Sequence, residues 1–157
     1  METPIEKLLT PQLVQHRGDT RDYNTMSNWI KPWDFQEDLD VGFIGLPLTQ
    51  SAGFQGTFMG PNAVRETFAS FGTRSFEFGT DVVDIKVRDI GDIKMHDTSV
   101  IESHANIESA LEALYKRQPN FIPILIGGHH GVAAPSVRGF QKGHGLKVGL
   151  IDFDAHN

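Results

Sequence analysis

Apolar residues along this chain fall into short runs separated by polar or helically periodic stretches. "DVGFIGLPL" (40–48) is such a run, closed by Gly45 and Pro47, and predicts a buried strand. "FIPILIGG" (121–128) predicts a second, with Pro123 placed early, and "LKVGLIDFDA" (146–155) a third. "DVVDIKVRDIGDI" (81–93) alternates apolar and polar positions and then turns at Gly91. Between these lie helical patterns. In "SVIESHANIESALEALYKRQ" (99–118), Val100, Ile107, Leu111 and Leu114 recur at helical intervals, and Ser99 and Glu102 have capping-box spacing. "PNAVRETFASF" (61–71) opens with Pro61 at a first helical position, and "GVAAPSVRGFQK" (131–142) predicts a further helix. "TQSAGFQGTFMG" (49–60) is a glycine-punctuated loop. Residues 1–38 are polar and mixed; they predict an N-terminal arm with one short helix, anchored by Trp29, Pro32 and Trp33.

Buried strands separated by helices predict an α/β fold, a parallel sheet with helices on both faces. Ligands in such sheets bind beyond the carboxyl ends of strands. Two of the predicted strands run into residues with chemical capability there, "ILIGGHH" and "GLIDFDAH".

Composition narrows the chemistry. The 157 residues are 39% hydrophobic and 22% charged, the balance of a globular domain with a buried core. The net charge is −6 with no basic run, which argues against nucleic acid or an anionic membrane as partner. "METPIEKLL" lacks the pattern of a signal peptide, and no apolar stretch approaches a membrane span, so a cytoplasmic location is the expectation. Without cysteine, any metal must be held by nitrogen and oxygen.

Asp152, Asp154 and His156 alternate and so can face one way along an extended segment. Carboxylates that close repel, and a divalent cation offsets the repulsion; solvated or backbone-bonded acids at a strand end are the competing reading. Adjacent His129 and His130 diverge, so one of them faces a given site. His104 reads as a surface or packing residue on a helix, His144 as part of a turn, and His96 has no supporting context. Asp89 and Asp92 flank Gly91 and read as turn or capping residues. Arg65 reads as structural, within reach of a carboxylate. "GFQGTFMG" lacks the spacing of a phosphate-binding loop.

Taken in order, these segments resemble the ureohydrolase superfamily of arginases, agmatinases, formimidoylglutamases and guanidino-acid hydrolases. "PILIGGHHG" is similar to its Gly-Gly-x-His signature, and "GLIDFDAHN" to its Asp-Ala-His-x-Asp signature. "FMGPNAVRETF" and "RDIGDI" are similar to its Gly-Pro-x-x-Ile/Val-Arg and Asp-x-Gly-Asp segments. The resemblance implies that His130, Asp154 and His156 are metal ligands and that a complete subunit carries two Mn²⁺ ions. It leaves Asp152 without a role. Two positions depart from the family: His129 stands where Asp or Gly is usual, and Gly131 where Ser or Glu is usual.

The family's second signature continues with a further aspartate, and a third lies downstream. The expectation is therefore that residues 39–157 are the N-terminal half of an arginase-like three-layer α/β/α metallohydrolase domain. That half alone would be inactive. The implied reaction is hydrolysis of a linear amidine C–N bond in a small substrate by a homo-oligomeric enzyme. "GDIKMHDTSVIESHANIESALEAL" looks most like bacterial formimidoylglutamases, with agmatinase or another guanidino hydrolase as the alternative. A partner-binding truncated paralogue and the deacetylase branch of the same fold are the remaining readings.

Overall fold

The computed structural model describes residue 5 and residues 8–10, 25–49 and 56–155. In chain order these form β1 (Leu9–Thr10), α1 (Met26–Trp29), β2 (Lys31–Pro32), β3 (Val41–Leu46), α2 (Gly60–Thr67), β4 (Arg74–Ser75), β5 (Thr80–Asp81), β6 (Val87–Ile93), α3 (Val100–Arg117), β7 (Ile122–Gly127) and α4 (Ala133–His144). The main sheet runs β1-β6-β3-β7, and β2 also pairs with β6. β6, β3 and β7 are mutually parallel, β2 joins β6 in parallel, and β1 is antiparallel to it. β4 and β5 form a separate two-stranded ribbon.

Side-chain alternation on β3 divides the core into two layers. Ile44 and Leu46 face α3 with Ile90, Ile93, Ile107, Leu111 and Leu114. Phe43 faces the opposite side with Ile30, Phe68 and Val87, where Val64 of α2 also packs. Helices therefore cover both faces of a mostly parallel sheet, which is the α/β arrangement expected from the sequence. The segment before residue 39 adds to the same layers: Trp33 is buried among the α3-side residues, and its indole N–H donates to the Glu37 carbonyl.

Ser99 caps α3 by accepting the Glu102 N–H at 3.2 Å. The Glu102 carboxylate pairs instead with His96 Nε2 at 2.8 Å, so His96 braces the helix start. His144 closes α4 rather than lying in a turn, and its ring stacks near Tyr115 and Phe140.

Gly91 is not a turn. β6 runs through it with a register shift opposite Phe43 and Ile44, and Gly91 has φ 92°, a backbone region open to glycine. The irregularity inserts one residue, so Asp89 and Asp92 face the same side of the sheet, although an unbroken strand would send them to opposite sides. Both reach Arg65 of α2. Arg65 Nε and Nη2 donate to Asp89 at 2.7 and 2.9 Å, and Nη1 donates to Asp92 at 2.7 Å. The turn role expected of the two aspartates gives way to a buried ion cluster. Asp89 keeps one local bond as well, accepting the Gly91 N–H at 3.0 Å.

The third predicted strand does not form. After Gly145, residues 146–155 carry no described strand pairing. Leu150, Ile151 and Phe153 are 68%, 82% and 97% exposed. An apolar strand is stabilised when layers cover both of its faces, and no described element covers these side chains. β7 is the edge of the sheet here, with Ile122 65% exposed.

Candidate metal centre

The carboxyl end of β7 is fastened to the end of β3. Gly128 N–H donates to the Leu46 carbonyl at 2.9 Å and His129 N–H to the Leu48 carbonyl at 2.8 Å. Glycine is required by space at 128, where a Cβ would lie 2.3 Å from the Leu48 carbonyl oxygen. The Gly-Gly pair thus lets the strand end run against a neighbouring backbone before it turns.

The turn is a single 3-10 segment, His130–Val132, leading into α4. His129 caps it: its Nδ1 accepts the Gly131 N–H at 3.0 Å. This bond places the proton of the neutral ring on Nε2 and points the side chain into the protein's own backbone. His130, by divergence, faces outward with its side chain 54% exposed.

His130 Nδ1 lies 3.2 Å from Asp154 Oδ2. Asp152 joins them: one ligand atom from each of His130, Asp152 and Asp154 lies within 4.8 Å of the others. His156 lies outside the described residues. The structure therefore brings together two of the three residues singled out in sequence and adds Asp152, which the resemblance left without a role. The alternation of Asp152 and Asp154 in the sequence already allowed both to face one way. That geometry persists although residues 152–154 are not in a sheet.

The donor set suits a divalent cation. It is imidazole and carboxylate only, a combination that suits Mn²⁺, Fe²⁺ or Zn²⁺. The acids are exposed, so their mutual repulsion is about 1 kcal/mol in water-like surroundings and the group persists without burial. Arg65, Asp89 and Asp92 do not belong to it; their charges are spent on one another inside the sheet–helix layer.

The chain is similar in sequence and fold to known proteins. The model of the arginase family matches residues 39–157. The formimidoylglutamase of Halalkalibacterium halodurans is 36% identical over 127 residues, covering 80% of this chain and 40% of that protein. The guanidinobutyrase of Pseudomonas aeruginosa is 31% identical over 120 residues, covering 75% of this chain and 37% of that protein. Among solved structures, Bacillus subtilis formimidoylglutamase superposes with a TM-score of 0.72 at 28% identity, covering 80% of this chain and 39% of that one. Trypanosoma cruzi formiminoglutamase with Mn²⁺ superposes with a TM-score of 0.65 at 25% identity, covering 78% and 43%. The chain spans about two fifths of the length of these relatives. By the match over residues 39–157 and the shared α/β arrangement, the chain belongs to the arginase family.

Proposed function

We propose that this chain supplies the N-terminal half of a manganese-dependent hydrolase, with residues 39–157 in the metallohydrolase domain and residues 1–38 as its arm. The enzyme cleaves N-formimidoyl-L-glutamate to L-glutamate and formamide. The observation that carries the reading is the 3.2 Å approach of His130 Nδ1 to Asp154 Oδ2. It joins the ends of two segments that resemble the first two of the family's metal-binding signatures. The named activity of the H. halodurans relative supports the substrate. The guanidinobutyrase relative supports a guanidino acid as the second reading.

His130, Asp152 and Asp154 would hold the cation side of the site, with His156 as the further ligand implied by its signature. When bound, the ions supply Lewis-acid chemistry, making a water acidic enough to attack near neutral pH. The two carboxylates offset the charge of the cations. The His130 ring, set by the cap at His129 and the Gly128 contact, fixes direction. The outward placement of His130 leaves the group open to a small polar substrate. Residues 1–157 alone turn over no substrate, because three or four ligands do not complete a two-ion centre.

The test uses the complete gene product that contains these residues, beside the 1–157 chain, each loaded with Mn²⁺. The longer protein is expected to release formamide from formimidoylglutamate faster than urea from agmatine or 4-guanidinobutyrate, and the 1–157 chain neither. Faster turnover of a guanidino substrate would replace the first reading with the second. In the longer protein, His130→Ala is expected to weaken Mn²⁺ binding beyond the roughly 10–100-fold that loss of a supporting partner produces. Unchanged metal content and turnover would refute the ligand assignment.

A further inference from the structure

His104 of α3 carries a buried ring nitrogen, Nε2, with no hydrogen-bond partner among the described residues. An orphaned buried polar atom costs about 1–3 kcal/mol, and native structures retain few of them without a return. Its place indicates the return. A Cβ built at Gly131 would meet His129 Nδ1 at 3.0 Å and His104 Nε2 at 3.6 Å. A Cβ at 131 would press on the His129 ring and meet His104 in ordinary contact, so the two imidazoles flank Gly131 in the turn that presents His130. Position 131 is one of the two departures from the family pattern, and His129 is the other. His104 Nε2 lies beside the first of these, Gly131.

We infer that His104 is a positioning residue for the His130-bearing turn, its Nε2 bonding to the His129–Gly131 backbone or ring when a divalent cation occupies the His130–Asp152–Asp154 group. Unbonded, that nitrogen is a liability; bonded to the turn, it is satisfied. The cation would thus be coupled to the core through α3, which buries Ile107, Leu111 and Leu114. The inference rests on the reading of His130 and Asp154 as ligands.

The coupling has a signature that plain packing lacks. His104→Leu keeps volume and removes the nitrogen. It is expected to leave the ion-free chain as stable as the parent or more so, because the orphan is gone. It should weaken Mn²⁺ binding about tenfold, the lower end of what a supporting partner contributes. His104→Gln, which restores a side-chain N–H, should recover part of that loss. Gly131→Ser should weaken binding as well by pressing on the His129 ring. Calorimetric or spin-resonance titration with MnCl₂ and thermal unfolding with and without the ion give both readouts. A His104→Leu chain that binds Mn²⁺ within twofold of the parent, or that loses stability equally with and without the ion, overturns the proposal. His130→Ala run in parallel separates the two claims: if it too binds like the parent, the ligand reading has failed; if it alone loses binding, the role of His104 has failed.

Discussion

Arg65 sits in the sheet–helix layer with no exposed side-chain surface and spends all its charge on Asp89 and Asp92. Burial alone would lower its pKa, but the hydrogen bonds and charges of the two aspartates more than offset this and raise it. The cation is therefore fixed in the folded state. Removing it strands two buried carboxylates, so Arg65→Met is expected to cost about 3–5 kcal/mol in urea denaturation. Arg65→Lys should recover little, since an ammonium cannot match the forked contacts to Asp89. Tyr115 is a further buried titratable group. Burial pushes its phenol up to about 12 from an ordinary 10.0. Because the folded state holds this proton more tightly, its contribution is complete below about pH 10 and is lost as pH rises toward 12. The size is about 2–3 kcal/mol at roughly 1.4 kcal/mol per unit. Ultraviolet titration of a Tyr23→Phe chain should show one phenol ionising near 12 while folded and near 10 in denaturant. A single transition near 10 under both conditions would contradict the burial.

The α3–α4 pair shows how an element is placed by a close backbone approach. A Cβ at Gly139 of α4 would lie 2.8 Å from the Glu108 carbonyl oxygen and 2.8 Å from Leu111 Cβ of α3. Gly139→Ala gains about 1 kcal/mol of helix propensity but meets an immovable backbone oxygen. Overpacking of about 1–3 kcal/mol should win, so net destabilisation is expected in thermal unfolding. Along the same seam Arg138 donates to the Glu108 carboxylate at 2.6 Å, and Lys142 donates to its other oxygen. Their hydrogen bonds, Lys142 first, hold the Glu108 pKa below the ordinary 4.5. A lowered carboxylate stabilises above about pH 4.5 and loses that contribution as pH falls further. The partners are half exposed, so the effect is under about 1 kcal/mol. Glu108→Gln should remove that much at pH 7 and nothing at acid pH; equal loss at both would place the effect in packing rather than charge.

At the scale of the molecule, the β7 edge stays uncovered among the described residues. The outer face of β7 and residues 146–153 present Ile122, Ile124, Leu146, Leu150, Ile151 and Phe153 to solvent. Contiguous apolar surface next to an unpaired strand edge drives association. The chain is expected to self-associate with rising concentration in sedimentation, and Ile151→Asp with Phe153→Asp to shift it toward monomer. Concentration-independent sedimentation of the unaltered chain would contradict this.

The sequence by itself determined the local chemistry. β3 and β7 were legible as apolar runs bounded by Gly and Pro, and α3 as a capped helical period, because those signals act within a few residues. His130 and Asp154 were legible as partners through the order of two strand-end motifs. What only the tertiary structure decided depends on residues far apart in the chain. The face taken by Asp92 follows from one inserted residue beside Gly91, and Arg65 finds both acids only after α2 docks. Ligand atoms of Asp152 come within 4.8 Å of those of His130 and Asp154 only in the folded chain, and His104 arrives beside Gly131 from another helix. The strand expected at 146–155 failed for the same reason: hydrophobicity specifies that a segment can be buried, but burial needs neighbours, and neighbours are supplied by packing rather than by local sequence.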